Sequence, residues 1–239
     1  MRQVPQYLLI GNGRIARHFQ HYFRLLQIPF FTWHRGESES TLENKIKSAS
    51  HILLLISDGA IDVFIKKYLS HLKETLLIHF SGSVITDFAY GAHPLMTFGF
   101  ELYDDNQYQT IPFVIDHDAP DFALLLPGLK NPNVRLNKNL KAKYHALCVM
   151  SGNFSCLLWQ KLFSSLEKEF NLPKEIAYPY LQQQTANLLK SPELALTGPL
   201  TRNDHHTIEK NLAALQLDPF QKVYQSFVLC YEELTKRLS

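Results

Sequence analysis

Cysteine is scarce and unpaired in this sequence. Cys148, Cys156 and Cys230 are an odd number at no metal-ligand spacing. They fall in helical patterns among apolar neighbours, read as reduced core residues, and speak against a disulfide framework. An excess of one charge is missing as well. Lys plus Arg count 24 against 22 for Asp plus Glu, and the formal net charge of +2 provides no global field for a phosphate polymer or an anionic membrane. Neither nucleic acid nor membrane is therefore expected as a partner. No apolar run approaches the ~20 residues that span a bilayer, and the N-terminus enters a strand almost at once, with no charged-then-apolar leader. There is no internal repeat and no low-complexity tract. What is present is 239 residues, 46% hydrophobic and 19% charged, with plentiful Phe and Tyr. That is the composition of a globular protein able to bury a substantial core, and the expected class is a cytoplasmic enzyme or binding protein.

The first half alternates short apolar strands with amphipathic helices, the signature of a parallel sheet. Residues 7–10 form a first strand. A helix follows in which Ile15, Phe19, Phe23 and Leu26 share one face. Residues 30–33 make a second strand, "HILLLIS" (51–57) a third and "TLLIHF" a fourth, with a weak helix in "STLENKIKSA" and a stronger one over 60–72. Residues 81–110 are richer in Gly, Asp, Asn and Pro and read as a long loop, a common place for function. "IPFVID" and "NVRLN" are two further strands around a short helix at 122–126. After Asn137 only helices are expected, over 142–170, 174–189, 204–215 and 219–238, separated by Pro173, "SPELALTGP" and Pro219. The first of them is apolar on nearly all sides and is expected to be buried against several partners, which suits a homodimer. The fold class is thus an α/β Rossmann-type domain over 1–137 followed by a smaller all-α domain over 138–239 for substrate and dimerisation.

Between the first strand and first helix stands "GNGRIA". Gly11, Asn12, Gly13, Arg14, Ile15 and Ala16 match G-x-G-x-x-G/A in strand-to-helix context. There the first glycine permits a tight turn, the second lets the backbone approach a pyrophosphate, and Ala16 lets the helix pack close to the strand. The pyrophosphate would rest on the helix N-terminus. An NAD site places an acid about 20 residues further on to hold the ribose 2′-OH. Here Trp33, His34 and Arg35 occupy that point and no acid appears before Glu37. Arg35 can fork onto a 2′-phosphate, with His34 and Ser38 as further donors, or stack on adenine, and NADP (NADPH) is the expected cofactor, although the same arginine can equally be a solvated surface residue. Ser57 and Asp58 after the third strand, and Ser81 after the fourth, should continue the binding edge toward the nicotinamide, although Ser57 or Asp58 can equally cap the next helix.

"GNGRIA", "HFSGS", "GAHPLMTF" and "ALTGPLTRNDHHTIEKNL" occur in the order seen in a family described as Rossmann-like with a C-terminal domain of unknown function, DUF2520, which the whole chain resembles. The layout also looks like the wider group of pyrroline-5-carboxylate reductase and 6-phosphogluconate dehydrogenase. The resemblance implies an NADP-dependent oxidoreductase of unsettled substrate. It names no catalytic residue, so these are argued from type. His93 is the first candidate for acid/base work, because its ordinary pKa lies near neutrality. Ser81 is a donor toward carboxamide or substrate oxygen. Asn153 is a polar interruption in an apolar helix. Thr197, Arg202 and Asp204 are candidates to close the site from the helical domain, with Arg202 suited to a substrate anion, although Gly198, Pro199 and an Asp204 cap explain the same stretch structurally. No spacing of His93, His205 and His206 with an acid or Cys supports a metal. Two classes of function stand open: hydride transfer to or from a small polar substrate between the domains, or an NADP-binding sensor or scaffold without turnover.

Overall fold

The computed structural model describes residues 5–238; residues 1–4, where the leader was looked for, and residue 239 lie outside the described part. The chain divides into two compact units, Met1–Leu157 and Leu158–Ser239.

The first unit is built on one sheet. Strands β1 (Tyr7–Ile10), β2 (Phe30–Trp33), β3 (His51–Leu54), β4 (Leu76–His79), β5 (Tyr90–Pro94), β6 (Phe113–Asp116) and β7 (Asn133–Leu136) lie in the order β2-β1-β3-β4-β5-β6-β7. Pairing is parallel from β2 through β5 and between β6 and β7, but antiparallel between β5 and β6. The sheet is therefore mostly rather than wholly parallel. Helices α1 (Arg14–Leu25), α2 (Glu39–Ser48) and α3 (Asp58–Phe64) connect the first four strands, and α3 runs on as a π-helical turn over Ile65–Leu69. Short helices α4 (Asp105–Gln109) and α5 (Phe122–Leu125) flank β6.

Side-chain alternation explains why β1 and β3 consist of continuous buried residues. Tyr7 and Leu9 face one core with Phe19, Tyr22 and Phe23 of α1, while Leu8 and Ile10 face a second core with Leu42 and Ile46 of α2 and Ile61 of α3. Both sheet faces are covered, so polar residues have no face to occupy. The sequence marked α2 as weak. Ser38 compensates by capping it, its hydroxyl accepting the Thr41 N–H at 3.2 Å.

The expected loop over 81–110 is interrupted by β5 and α4. Tyr90–Pro94 contains Gly91 and Pro94 and carries little strand propensity of its own. It is held by neighbours on both sides, with Ile78 opposite Tyr90 and Val114 opposite His93. The cysteines also depart from expectation: all three are free, but Cys148 is only partly buried and Cys156 and Cys230 are exposed.

Helix α6 (Lys141–Val149), a π-helical turn over Met150–Phe154 and α7 (Ser155–Lys168) follow without a break, and the boundary between the units falls inside α7. The expected all-round burial of this segment does not occur within one chain: Leu147, Met150, Phe154 and Leu157 are each 52–53% exposed. The second unit continues with α8 (Tyr178–Lys190), α9 (His205–Ala214) and α10 (Phe220–Leu238). Its internal ties include Lys161, which pairs with Glu169 and Asp218. Among the described residues no helix is long and apolar enough to cross a membrane.

Candidate functional site

Strand order reverses beside β1, since β2 lies on one side of it and β3 on the other. In open α/β sheets ligands bind at such a switch point, outside the carboxyl ends of the strands. A cavity of about 800 Å³ lies there, lined by the ends of β1, β2 and β3 and by Phe64 and Tyr68. Gly11 leaves β1 with φ +131, and a Cβ on it would stand 2.2 Å from the Leu55 carbonyl oxygen, so only glycine lets the chain turn this close to β3. Gly13 is the N-cap of α1 at an ordinary φ of −77, and a Cβ there would meet no atom within 4 Å. The free N–H groups of the first turn of α1 therefore open at a cavity wall made of Gly11, Asn12 and Gly13.

The turn after β2 decides which charges reach that cavity. His34 and Arg35 line it. The imidazole of His34 is folded back onto its own turn, where Nδ1 accepts the Gly36 N–H at 3.1 Å. Glu37 is held elsewhere: one carboxylate oxygen accepts the His34 N–H at 3.1 Å and the other pairs with Lys45 at 2.7 Å. The ammonium beside it keeps the Glu37 carboxyl below the usual range.

A second cavity, about 610 Å³, opens beyond β5 among His93, Tyr144, His145, Cys148 and Asn153, with Leu95, Met96 and Leu147 as apolar wall. His93 Nδ1 is 2.9 Å from the Tyr144 hydroxyl, and the two imidazoles of His93 and His145 stand edge to face at 5.8 Å. Behind them is a buried ion pair. Lys141 Nζ lies 2.7 Å from Asp116 Oδ1, while Asp116 Oδ2 accepts the Gly91 N–H at 2.7 Å. The two side chains are 5% and 3% exposed. A Cβ on Gly91 would fall 2.4 Å from Lys141 Nζ, so this strand position is glycine because the pair occupies the space a side chain would need.

Burial sets the local electrostatics, and that pair adds to it. His93 is pushed down to about 4, first by burial, then by the His145 and Lys141 charges, against the opposing pull of Asp58. His79, fully buried at the end of β4, is likewise pushed down to about 4, by burial and then Lys141. Both imidazoles are neutral at pH 7. Burial and the neighbouring Cys148 thiol raise Tyr144, whose phenol stays protonated. His79 has no hydrogen-bond partner for either ring nitrogen, and His145 none for Nδ1, among the described residues.

The structure thus brings Gly11, Asn12, Gly13, Ile15, His34, Arg35 and Ser57 to the first cavity, and His93 and Asn153 to the second. Arg14 does not line the first cavity; its guanidinium sits over the Phe100 ring. Ala16 is fully buried against the sheet, and Ser38 is occupied as the α2 cap. Ser81 donates to Asp58 Oδ2 at 2.7 Å and accepts the Ser83 and Val84 N–H groups, so it fastens the turn after β4 to the start of α3. Asp58 lines neither cavity; it follows Ser57 of the first, and its Oδ2 accepts from the Ser81 and Ser83 hydroxyls. Thr197, Arg202 and Asp204 belong to the second unit, where Asp204 caps α9 by accepting from the Thr207 N–H and hydroxyl. Lys141, Tyr144, His145, Asp116 and His79 escaped the sequence reading. The signal for the helical ones was the i, i+3, i+4 spacing of Lys141, Tyr144 and His145, which puts them on one face of α6. Among the described residues no group of His, Cys, Asp or Glu is placed to hold a metal ion.

With this geometry, the chain can be set beside known proteins. A family model described as a domain of unknown function, DUF2520, matches residues 111–235. No curated protein matches the sequence. A Bacteroides fragilis protein described as a proposed NADP oxidoreductase aligns with a TM-score of 0.73 at 21% identity over 96% of this chain and 98% of its own. A Thermotoga maritima protein aligns at 0.68 and 17% identity, over 97% and 98%. A Plasmodium falciparum pyrroline carboxylate reductase with NADP bound aligns at 0.58 and 12%, over 99% and 98%. At these identities the likeness is one of fold, and that fold is Rossmann-like.

Proposed function

The chain belongs to the DUF2520 family, and from that premise and the geometry of its two cavities we propose that it is an NADP-dependent oxidoreductase acting on a small polar substrate. The observation that carries the reading is the pairing of a glycine-walled cavity at the strand-order switch point with Arg35 as its charged side chain. Gly11, Asn12 and Gly13 receive the pyrophosphate at the start of α1, Arg35 and His34 the 2′-phosphate, and Phe64 and Tyr68 give the adenosine end an aromatic wall. When bound, the cofactor supplies or accepts the hydride.

The second cavity is where the substrate's carbonyl or imine is placed. His93, neutral at pH 7, and the protonated Tyr144 share one hydrogen bond and form the pair through which a proton reaches or leaves the reacting heteroatom. Asn153, carried on the π-helical turn, supplies an amide to orient the substrate. The convergence of these polar groups on one open cavity favours turnover over the alternative of a sensor or scaffold. The exposed apolar residues Leu147, Met150, Phe154 and Leu157 support a homodimer, which light scattering on the purified protein tests by giving twice the chain mass. We place this reaction in the cytoplasm, in keeping with the free cysteines.

The deciding experiment is a fluorescence titration with NADPH and NADH, repeated on Arg35→Ala. NADPH should bind more tightly than NADH, and the variant should lose about tenfold or more in NADPH affinity with little change for NADH. Absence of binding by either dinucleotide at near-millimolar concentration sinks the reading.

A further inference from the structure

The turn after β2 contains a carboxylate as well as a guanidinium, and a carboxylate in this region of the fold is the usual holder of a ribose 2′-OH. Choice between the two dinucleotides therefore depends on what the turn does with its acid. Glu37 has no free oxygen: Oε1 takes the His34 N–H and Oε2 takes Lys45 Nζ. Lys45 is fixed in turn, because it also donates to the Thr32 carbonyl at 2.6 Å on the adjoining strand. The pair is three-quarters buried, with side chains 24% and 28% exposed, which is less screened than an ordinary surface pair. The next acid, Glu39, is held as well, by Lys67 and the Tyr68 hydroxyl. Both carboxylates near the end of β2 are thus bound to lysines, while Arg35 lines the cavity and pairs with no acid among the described residues.

Resting on the reading of the first cavity as an NADP site, we propose that Lys45 is a positioning residue for cofactor choice. By fastening Glu37 to α2 it withholds the acid that would bind a ribose diol and repel a 2′-phosphate, and so makes the turn selective for NADPH. Lys45 touches neither cofactor nor substrate in this scheme; it acts through Glu37.

The test compares dissociation constants for NADPH and NADH in wild type, Lys45→Met, Lys45→Arg, Glu37→Gln and the double variant. Lys45→Met should cut the preference for NADPH by about tenfold, with NADH binding tightened and NADPH binding weakened. Lys45→Arg, which keeps the cation, should hold the wild-type preference. The double variant should return to that preference, since no acid remains to be released. A loss of both affinities in equal proportion in Lys45→Met, or a double variant that behaves like Lys45→Met, overturns the proposal and leaves Lys45 a structural residue. If Lys45→Met does not fold, Glu37→Gln decides alone: it should change either affinity by less than about threefold, and a loss of NADH binding of about tenfold would show Glu37 already bound to ribose. A wild type that binds neither dinucleotide defeats the function itself. One that binds NADPH but ignores these substitutions defeats only this inference.

Discussion

The switch-point cavity and the His93 cavity belong to the same sheet yet are made from different materials. The first is a backbone construction. Gly11 turns the chain against the Leu55 carbonyl, Gly13 opens the end of α1, and one guanidinium does the rest. The second is walled by ionisable side chains, with His93 on Tyr144, and is backed by the buried Lys141–Asp116 pair and by His79, which has no hydrogen-bond partner among the described residues. Backbone sites cost the fold little and lose binding when altered. A site backed by a buried ion pair draws on the stability of the whole domain, so removing one partner of that pair costs the fold several kcal/mol, about 3–5 by the usual measure.

The contrast is sharpest for Asp116→Asn, which leaves the Lys141 ammonium buried without its counter-charge. A loss of about 3–5 kcal/mol in denaturant unfolding is expected. If the variant unfolds within about 1 kcal/mol of wild type, the pair is solvated and the distinction between the two cavities weakens. Next in size is an acid sensitivity arising from His79. Its folded pKa of about 4 lies below the ordinary 6.5. Below pH 6.5 the unfolded chain takes up a proton that the folded chain refuses, so stability is fully present above 6.5 and falls as the pH drops toward 4. The loss approaches about 3 kcal/mol for this residue. His79→Leu should flatten that slope in melts between pH 7 and 4, and an unchanged slope would assign it to His93 instead. The smallest effect on stability belongs to Gly13→Ala. At φ −77, with no atom within 4 Å of the new methyl, unfolding should change by at most about 1 kcal/mol. NADPH binding should nonetheless fall by about tenfold or more, as the methyl enters the space for the pyrophosphate. A variant that binds normally would place the pyrophosphate elsewhere.

The same difference in materials decided what the sequence disclosed. "GNGRIA" is readable because its demands are local: a turn with positive φ, then a helix start, within one hexapeptide. The β2 turn is half readable. Arg35 is evident from position, but that Glu37 is neutralised depends on Lys45, eight residues along on another element. The His93 site was accessible only through His93 and Asn153 themselves. Asp116 and Lys141 are 25 residues apart and His93 and Tyr144 are 51 apart, distances at which no periodicity connects them. β5 escaped notice because its Gly91 serves the Lys141–Asp116 pair rather than strand propensity. Cys156 and Cys230 read as core because their neighbours are apolar, and in the structure much of that apolar surface is itself exposed.

Trp33 ends β2 at the wall of the switch-point cavity, 6% exposed, and the other tryptophan, Trp159, meets the Phe163 ring at a tilt and the Tyr180 ring edge-on in the second unit. The chain therefore carries one tryptophan in each compact unit. Replacing Trp159 with Phe would leave a single tryptophan, whose excitation energy would pass to any reduced nicotinamide dinucleotide that binds there, turning the wall of the cavity into an optical gauge of its own occupancy.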